Sequence, residues 1–332
     1  MTDQLSEKLS LFTANARALK KDFIWQEPMA KRLAALLYTL ENRPVNCEAV
    51  RDCYALLKEQ TGVFSTFRGT LSIYISAMLS LSEQPEQRLR DTLAVYELLK
   101  EQKFYASDYL VAAAYQVAAN ARWDRYREVA GRARGFYDAM KANHRFRTGQ
   151  DDYIFAAMLG LSDLDVRAAS DRMEQLYQKL KPKFLDGNSV QALTQVLVLG
   201  GETDEAVSKL FQLRGMLRDS GIKLDKTYTL PSLGLLALLP VDGETLADEI
   251  WEARNYLRAP GGFGSLTATE QELLLYAAAL AGSVCADGMK SGVVATVSTS
   301  VTSMIIAQQI AMMTAMMAAT TAGRTAAAST AH

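Results

Sequence analysis

Histidine and cysteine are scarce in this chain. Two histidines (His144 and His332) and three cysteines (Cys47, Cys53 and Cys285) are the whole supply in 332 residues. That argues against a histidine-built metal site and leaves little for imidazole acid–base chemistry. His144 stands in KANHRF at an expected helix end, where a cationic side chain suits the helix dipole. An odd cysteine count without paired spacing argues against a disulfide framework. It fits a reducing compartment, so a cytoplasmic location is expected. Cys47 and Cys53 fall on different faces of one helix and read as buried free thiols.

An excess of charge is missing too. Lys plus Arg number 36 against 37 for Asp plus Glu, so no global field draws nucleic acid or an anionic membrane. The opening MTDQLSEKLS has no basic stretch followed by an apolar run, and no secretion signal is expected. There is no phosphate-cradling loop, because Gly261-Gly262-Phe263-Gly264 lacks the Lys and Ser/Thr of a P-loop and reads as a turn. Nor is there an Asp-rich magnesium motif. Asp151-Asp152 runs into YIFAA with no further acid one turn on, and Asp163 and Asp165 sit at a helix start, where capping accounts for them. No catalytic, cofactor-binding or metal-binding residue is assigned.

What is present is repetition. Phe23, Phe64, Phe104, Phe146, Phe184, Leu224 and Phe263 follow one another at gaps of 41, 40, 42, 38, 40 and 39 residues. Tyr54, Tyr96, Tyr137, Tyr177 and Tyr256 keep the same phase about ten residues earlier, and breaks at Ser82, Ser162, Gly201 and Pro240 keep it again. Within each unit the first helix is short and apolar nearly all round, as in LSIYISAMLSL, and must be covered on several sides. The second has apolar residues three and four apart, as in Val207, Leu210, Phe211 and Leu217. Asp163, Thr203 and Asp242 are the expected helix starts.

These signals predict an all-α fold: a solenoid of about six helical hairpins of ~40 residues, stacked in the HEAT or tetratricopeptide manner. Tetratricopeptide signature residues are absent. The repeat domain is expected to span 1–283, with Glu7, Lys8, Arg17 and Lys20 on the polar outer face of a first, capping helix. An uncharged segment, 284–319, follows, with an Ala/Met-rich helix that packs on or extends the solenoid; 320–332 reads as a flexible tail.

The ending SMIIAQQIAMMTAMMAA, the FSTFRG after the second unit and the opening LKKDFIW resemble a bacterial family known as domain of unknown function 4003. The resemblance covers essentially the full length. It implies a bacterial, cytosolic protein and brings no activity and no catalytic residues.

Two stretches break the repeat pattern. From Arg122 to Arg147 eight basic residues stand against three acids, with Arg127, Arg134 and Lys141 as a stripe along one helix face. This stripe suits an anionic partner, RNA or an acidic peptide; the competing reading is a solvated face that offsets acidic neighbours. In the C-terminal helix, Ala307, Ala311, Ala315 and Ala319 form a ridge that permits a close helix crossing, either on the protein's own hairpins or in self-association. Gln308 and Gln309 at its middle argue against a membrane span. The recurring Tyr and Phe positions are read as packing between hairpins. The function expected from all this is a non-enzymatic scaffold for a protein or peptide partner on a concave face, with nucleic acid and membrane disfavoured. The alternative is an all-helical enzyme with carboxylates in an internal pocket.

Overall fold

The computed structural model describes the backbone of residues 2–264, 267–290 and 295–329, and side chains within 2–264, 267–287 and 303–320. Among the described residues it is all-helical, with fifteen α-helices and no strand. Seven amphipathic helices alternate with seven that are apolar nearly all round. The amphipathic set is α1 (Asp3–Asp22), α3 (Cys47–Gln60), α5 (Pro85–Glu101), α7 (Tyr126–Asn143), α9 (Val166–Leu180), α11 (Asp204–Asp219) and α13 (Gly243–Arg258). The apolar set is α2 (Pro28–Leu40), α4 (Ser72–Leu81), α6 (Asp108–Asn120), α8 (Tyr153–Leu161), α10 (Gly187–Leu199), α12 (Leu230–Leu238) and α14 (Glu270–Lys290). A last helix, α15, spans Ala295–Ser329 and runs past Thr320, where the sequence suggested a tail.

Local chemistry sets the boundaries. Thr203 and Asp242 accept hydrogen bonds from the backbone N–H groups of Ala206 and Thr245 and so cap α11 and α13, as expected. At α9 the cap is Asp165, which accepts from Ala168 N–H; Asp163 lies too early, with Leu164 between them. The apolar helices have no solvent face. In α8 every residue except Leu161 is buried.

Each amphipathic helix packs on the apolar helix that follows it, and successive pairs pack on one another. The row then closes on itself. The α1 helix packs on α13 and α14, and α14 packs on α2. The helices therefore make seven pairs with the last beside the first, where the sequence suggested about six and a free end. Closure changes one side chain assigned to the capping face. Glu7, Arg17 and Lys20 are exposed, but Lys8 is buried, donating to Asn42 Oδ1 at 2.8 Å and lying 3.0 Å from Asp287 Oδ2. Thr2 Oγ1 donates to Glu249 Oε1 at 3.0 Å, and Phe12 meets Tyr276 edge-on at 4.9 Å.

The apolar helices form the inner wall and α15 lies inside it, against α2, α6, α8, α12 and α14. It runs antiparallel to them. Ser303 and Ile306 lie by the ends of α4 and α6, whereas Met312 and Ala315 lie by the starts of α8 and α10. Antiparallel packing opposes its dipole to those of the wall. Its stretch Ser303–Thr320 is long and apolar enough to cross a membrane, yet 67% of it is buried inside the fold. The wall and α15 together make one continuous core.

Candidate functional site

Because the pairs alternate, loops leading from an amphipathic to an apolar helix all emerge at one mouth of the ring. The return loops emerge at the other. The first mouth carries a set of apolar tips. Trp25 is 92% exposed, Phe64 102%, Tyr105 72%, Phe146 100% and Leu185 94%. They come from five consecutive loops, at gaps of 39, 41, 41 and 39 residues, so they hold equivalent places around the rim. Ile24 and Val63 stand exposed next to two of them. At the other mouth Trp123 alone is a large exposed apolar side chain among the described residues.

Here the sequence reading is corrected in part. Phe23, Phe104, Phe184 and Leu224 are buried, as packing between hairpins requires, and Phe104 meets Tyr137 at 5.5 Å. Phe64 and Phe146, in the same phase, point into solvent. In the second unit Phe67 takes the buried place, edge-on to Tyr96 at 5.1 Å. The repeat thus fixes two positions per loop, an inward anchor and an outward tip.

Charge follows the same division. Between the tips, Lys20, Lys21, Lys103, Arg145, Arg147 and Lys183 are exposed, and none forms an ion pair among the described residues. The opposite mouth exposes Glu41, Glu83, Asp163, Asp165, Asp204 and Asp242. The charges follow the ends of the amphipathic helices, which carry most of the charged residues. Amphipathic helices start at the acidic mouth and end at the basic one. The near-zero net charge therefore hides a basic excess at one mouth and an acidic excess at the other, with exposed Asp22 and Glu101 among the bases of the first and Arg43 and Arg122 among the acids of the second.

Inside the basic rim is a cleft of about 530 Å³ between α10, the loop before α12 and α15, lined by Asp151, Asp186, Ser189, Tyr228, Met312 and others. Beneath it Asp152 is buried. Its Oδ1 accepts from Gln191 Nε2 at 2.9 Å and from Gln195 Nε2 at 2.7 Å, and its Oδ2 from Gly149 N–H at 2.9 Å. Burial, and then the charge of Asp151, push its carboxyl up to about 7. Burial, with Asp186 nearby, raises Asp151, and burial alone lifts Asp108 to about 6. The Asp pair, read as capping from sequence, thus includes a carboxyl held at the edge of ionisation. A partial signal was available, since Gln191 and Gln195 are long polar side chains one turn apart in the mostly buried α10.

The basic stripe is engaged within the chain. Arg127 pairs with Glu101 at 3.1 Å and Arg134 with Asp138 at 2.6 Å, while Lys141 lies over the Tyr137 ring at 5.3 Å. In the alanine ridge, Ala307 and Ala311 are buried in the ring, Ala315 is half-buried and Ala319 exposed. Beside them Gln308, Gln309 and Thr314 are buried, and Gln308 Nε2, Gln309 Oε1 and Thr314 Oγ1 meet no protein partner. His144 ends α7, with Nε2 2.8 Å from Glu174 Oε2 and its ring 4.0 Å from that of Tyr177. Burial raises the Cys53 thiol to about 11 and Cys285 to about 12, so neither is a reactive thiolate. Among the described residues no group of three or more His, Cys, Asp or Glu is placed to hold a metal ion.

A family profile described as a protein of unknown function (DUF4003) matches residues 15–311. No curated protein and no solved structure matches the chain.

Proposed function

Since the chain belongs to the DUF4003 family, whose description assigns no activity, we propose from its own geometry that it is a non-enzymatic helical-repeat scaffold: a solenoid bent until its ends meet, binding its partner at the tip-bearing mouth. The observation behind this is the set of five in-phase apolar tips on that mouth. A soluble surface holds scattered apolar residues as a matter of course, but not one on each of five consecutive loops at equivalent places. The concave face expected to bind is occupied by α15, which moves the working surface from the lumen to the rim. The test is a photo-crosslinking residue at Phe64 or Phe146 in native cells, with Trp251 on the outer wall as control. Adducts should form from the mouth positions. Adducts that form only from the wall, or equally from both, would overturn the reading.

A second reading, an all-helical enzyme, is favoured by the carboxylates around the cleft above Asp152. The packed lumen counts against it, because α15 fills the ring and the cleft lies at its mouth. Its test is a thermal-shift screen with small polar ligands. A ligand that stabilises the wild type but not Asp151→Asn or Asp186→Asn would support it, and no such ligand would sink it.

A further inference from the structure

We propose that the tip-bearing mouth docks on an anionic lipid surface. This rests on the scaffold reading above and names its partner. Three observations choose lipid over other partners. The first is geometry. Neighbouring tips belong to neighbouring hairpins, so they stand roughly 10 Å apart, the spacing of packed helices. They do not merge into the continuous apolar core of a protein interface. They lie instead on five of the seven loops at one mouth of the ring, each on its own loop. Only a surface that is flat and yielding accepts five separate insertions without a pocket for each.

The second is residue type. Trp25, Tyr105, Phe64 and Phe146 are aromatic, and Trp and Tyr favour the headgroup level of a membrane. Ile24, Val63 and Leu185 stand with them. A single-stranded nucleic acid would use ring faces for stacking, which aliphatic side chains do not offer. Acyl chains accept both kinds.

The third is charge. Lys21 stands near Trp25, Lys103 near Tyr105, Arg145 and Arg147 on either side of Phe146, and Lys183 near Leu185. Each basic residue held at an anionic leaflet contributes about 1 kcal/mol, falling away within a Debye length. Five apolar insertions add to this without any helix crossing the bilayer. The acidic opposite mouth then faces away from the membrane, which fixes the orientation. The lumen helix takes no part, and the apolar stretch Ser303–Thr320 stays inside the ring.

The experiment is vesicle flotation of the full chain with phosphatidylcholine alone and with about a third phosphatidylglycerol, at low and high salt. The mixed vesicles should carry the protein up, neutral vesicles should carry much less, and high salt should release it. The variant Trp25→Ser/Phe64→Ser/Phe146→Ser should lose at least ~10-fold in binding, and Arg145→Glu/Arg147→Glu a similar amount. These side chains are exposed, so both variants should keep the helical circular dichroism and melting temperature of the wild type. In a Trp123→Phe/Trp251→Phe background, the fluorescence of Trp25 should shift to the blue on anionic vesicles. Failure to float, flotation unchanged in both variants, or retention of RNA in place of vesicles would overturn the proposal. If flotation fails while crosslinks still form from Phe64 and Phe146, the lipid inference falls and the scaffold reading stands.

Discussion

Arg32 and Glu272 lie 240 residues apart in sequence and grip each other where the ring closes. Arg32 Nε donates to Glu272 Oε1 at 2.5 Å and its NH2 group to Oε2 at 3.1 Å. Tyr276 Oη donates to the same carboxylate at 2.7 Å, and Arg32 lies 5.8 Å from the Phe263 ring centre. Both partners are largely buried. Removing one leaves the other as an unpaired buried charge. Glu272→Ala should therefore cost roughly 3–5 kcal/mol in urea unfolding, while Arg32→Met/Glu272→Leu should recover most of it. A cost below ~1 kcal/mol would mean that closure does not depend on this pair.

The α7–α8 crossing depends on the missing side chain of Gly160. A Cβ there would lie 2.8 Å from the Val129 carbonyl oxygen and 2.9 Å from the Ala133 nitrogen, both backbone atoms. Gly160→Ala should destabilise by about 1–3 kcal/mol as the two helices part. Gly131→Ala is the control. It lies in α7 with nothing within 4 Å of its added Cβ, and should stabilise by about 0.5–1 kcal/mol through helix propensity alone.

Asp152 predicts a dependence on pH. Its carboxyl is raised from 3.8 to about 7, so the folded state holds the proton more tightly than the unfolded chain does. The associated stability is fully present below about pH 4 and is lost as pH rises through 7. Asp108, raised to about 6, acts in the same direction. Melting temperature followed from pH 4 to 8 should fall less in Asp152→Asn than in the wild type. Parallel curves for the two proteins would show that Asp152 does not titrate in this window.

The lumen helix carries two opposed terms, a large apolar burial and an unmatched polar centre. Truncation after Lys290 uncovers the inner wall and should raise binding of the dye ANS severalfold. Gln308→Met/Gln309→Met, which keeps volume while removing the unpartnered amide atoms, should stabilise the full chain by about 1–3 kcal/mol. Loss of stability in that variant would show that the polar atoms are satisfied in solution.

The all-helical class and the alternation of two helix types were legible because each is written in local periodicity. Closure was not. Lys8 with Asp287 and Arg32 with Glu272 are single charges on long helices, and nothing near them in sequence says that they meet. The rim was hidden for a different reason. Summed over the chain, its basic residues cancel against the acids of the other mouth, and sorting the loops into alternate sets is what separates them. The tips were hidden by their own regularity, since Phe64 and Phe146 share the phase of the buried Phe104 and Phe184. Doublets such as Phe104-Tyr105 and Phe184-Leu185, one apolar residue more than an anchor needs, were the available clue.

Closure also limits how such a chain can change over time. An open array gains or loses a repeat at small cost, because each unit meets only its neighbours and the ends are capped. Here α1 and α14 are already neighbours, so an eighth hairpin has no place to enter and a sixfold version leaves a gap beside α15. Copy number is locked by geometry. Variation is confined to what leaves the wall intact, and that is the composition of the loops at the two mouths.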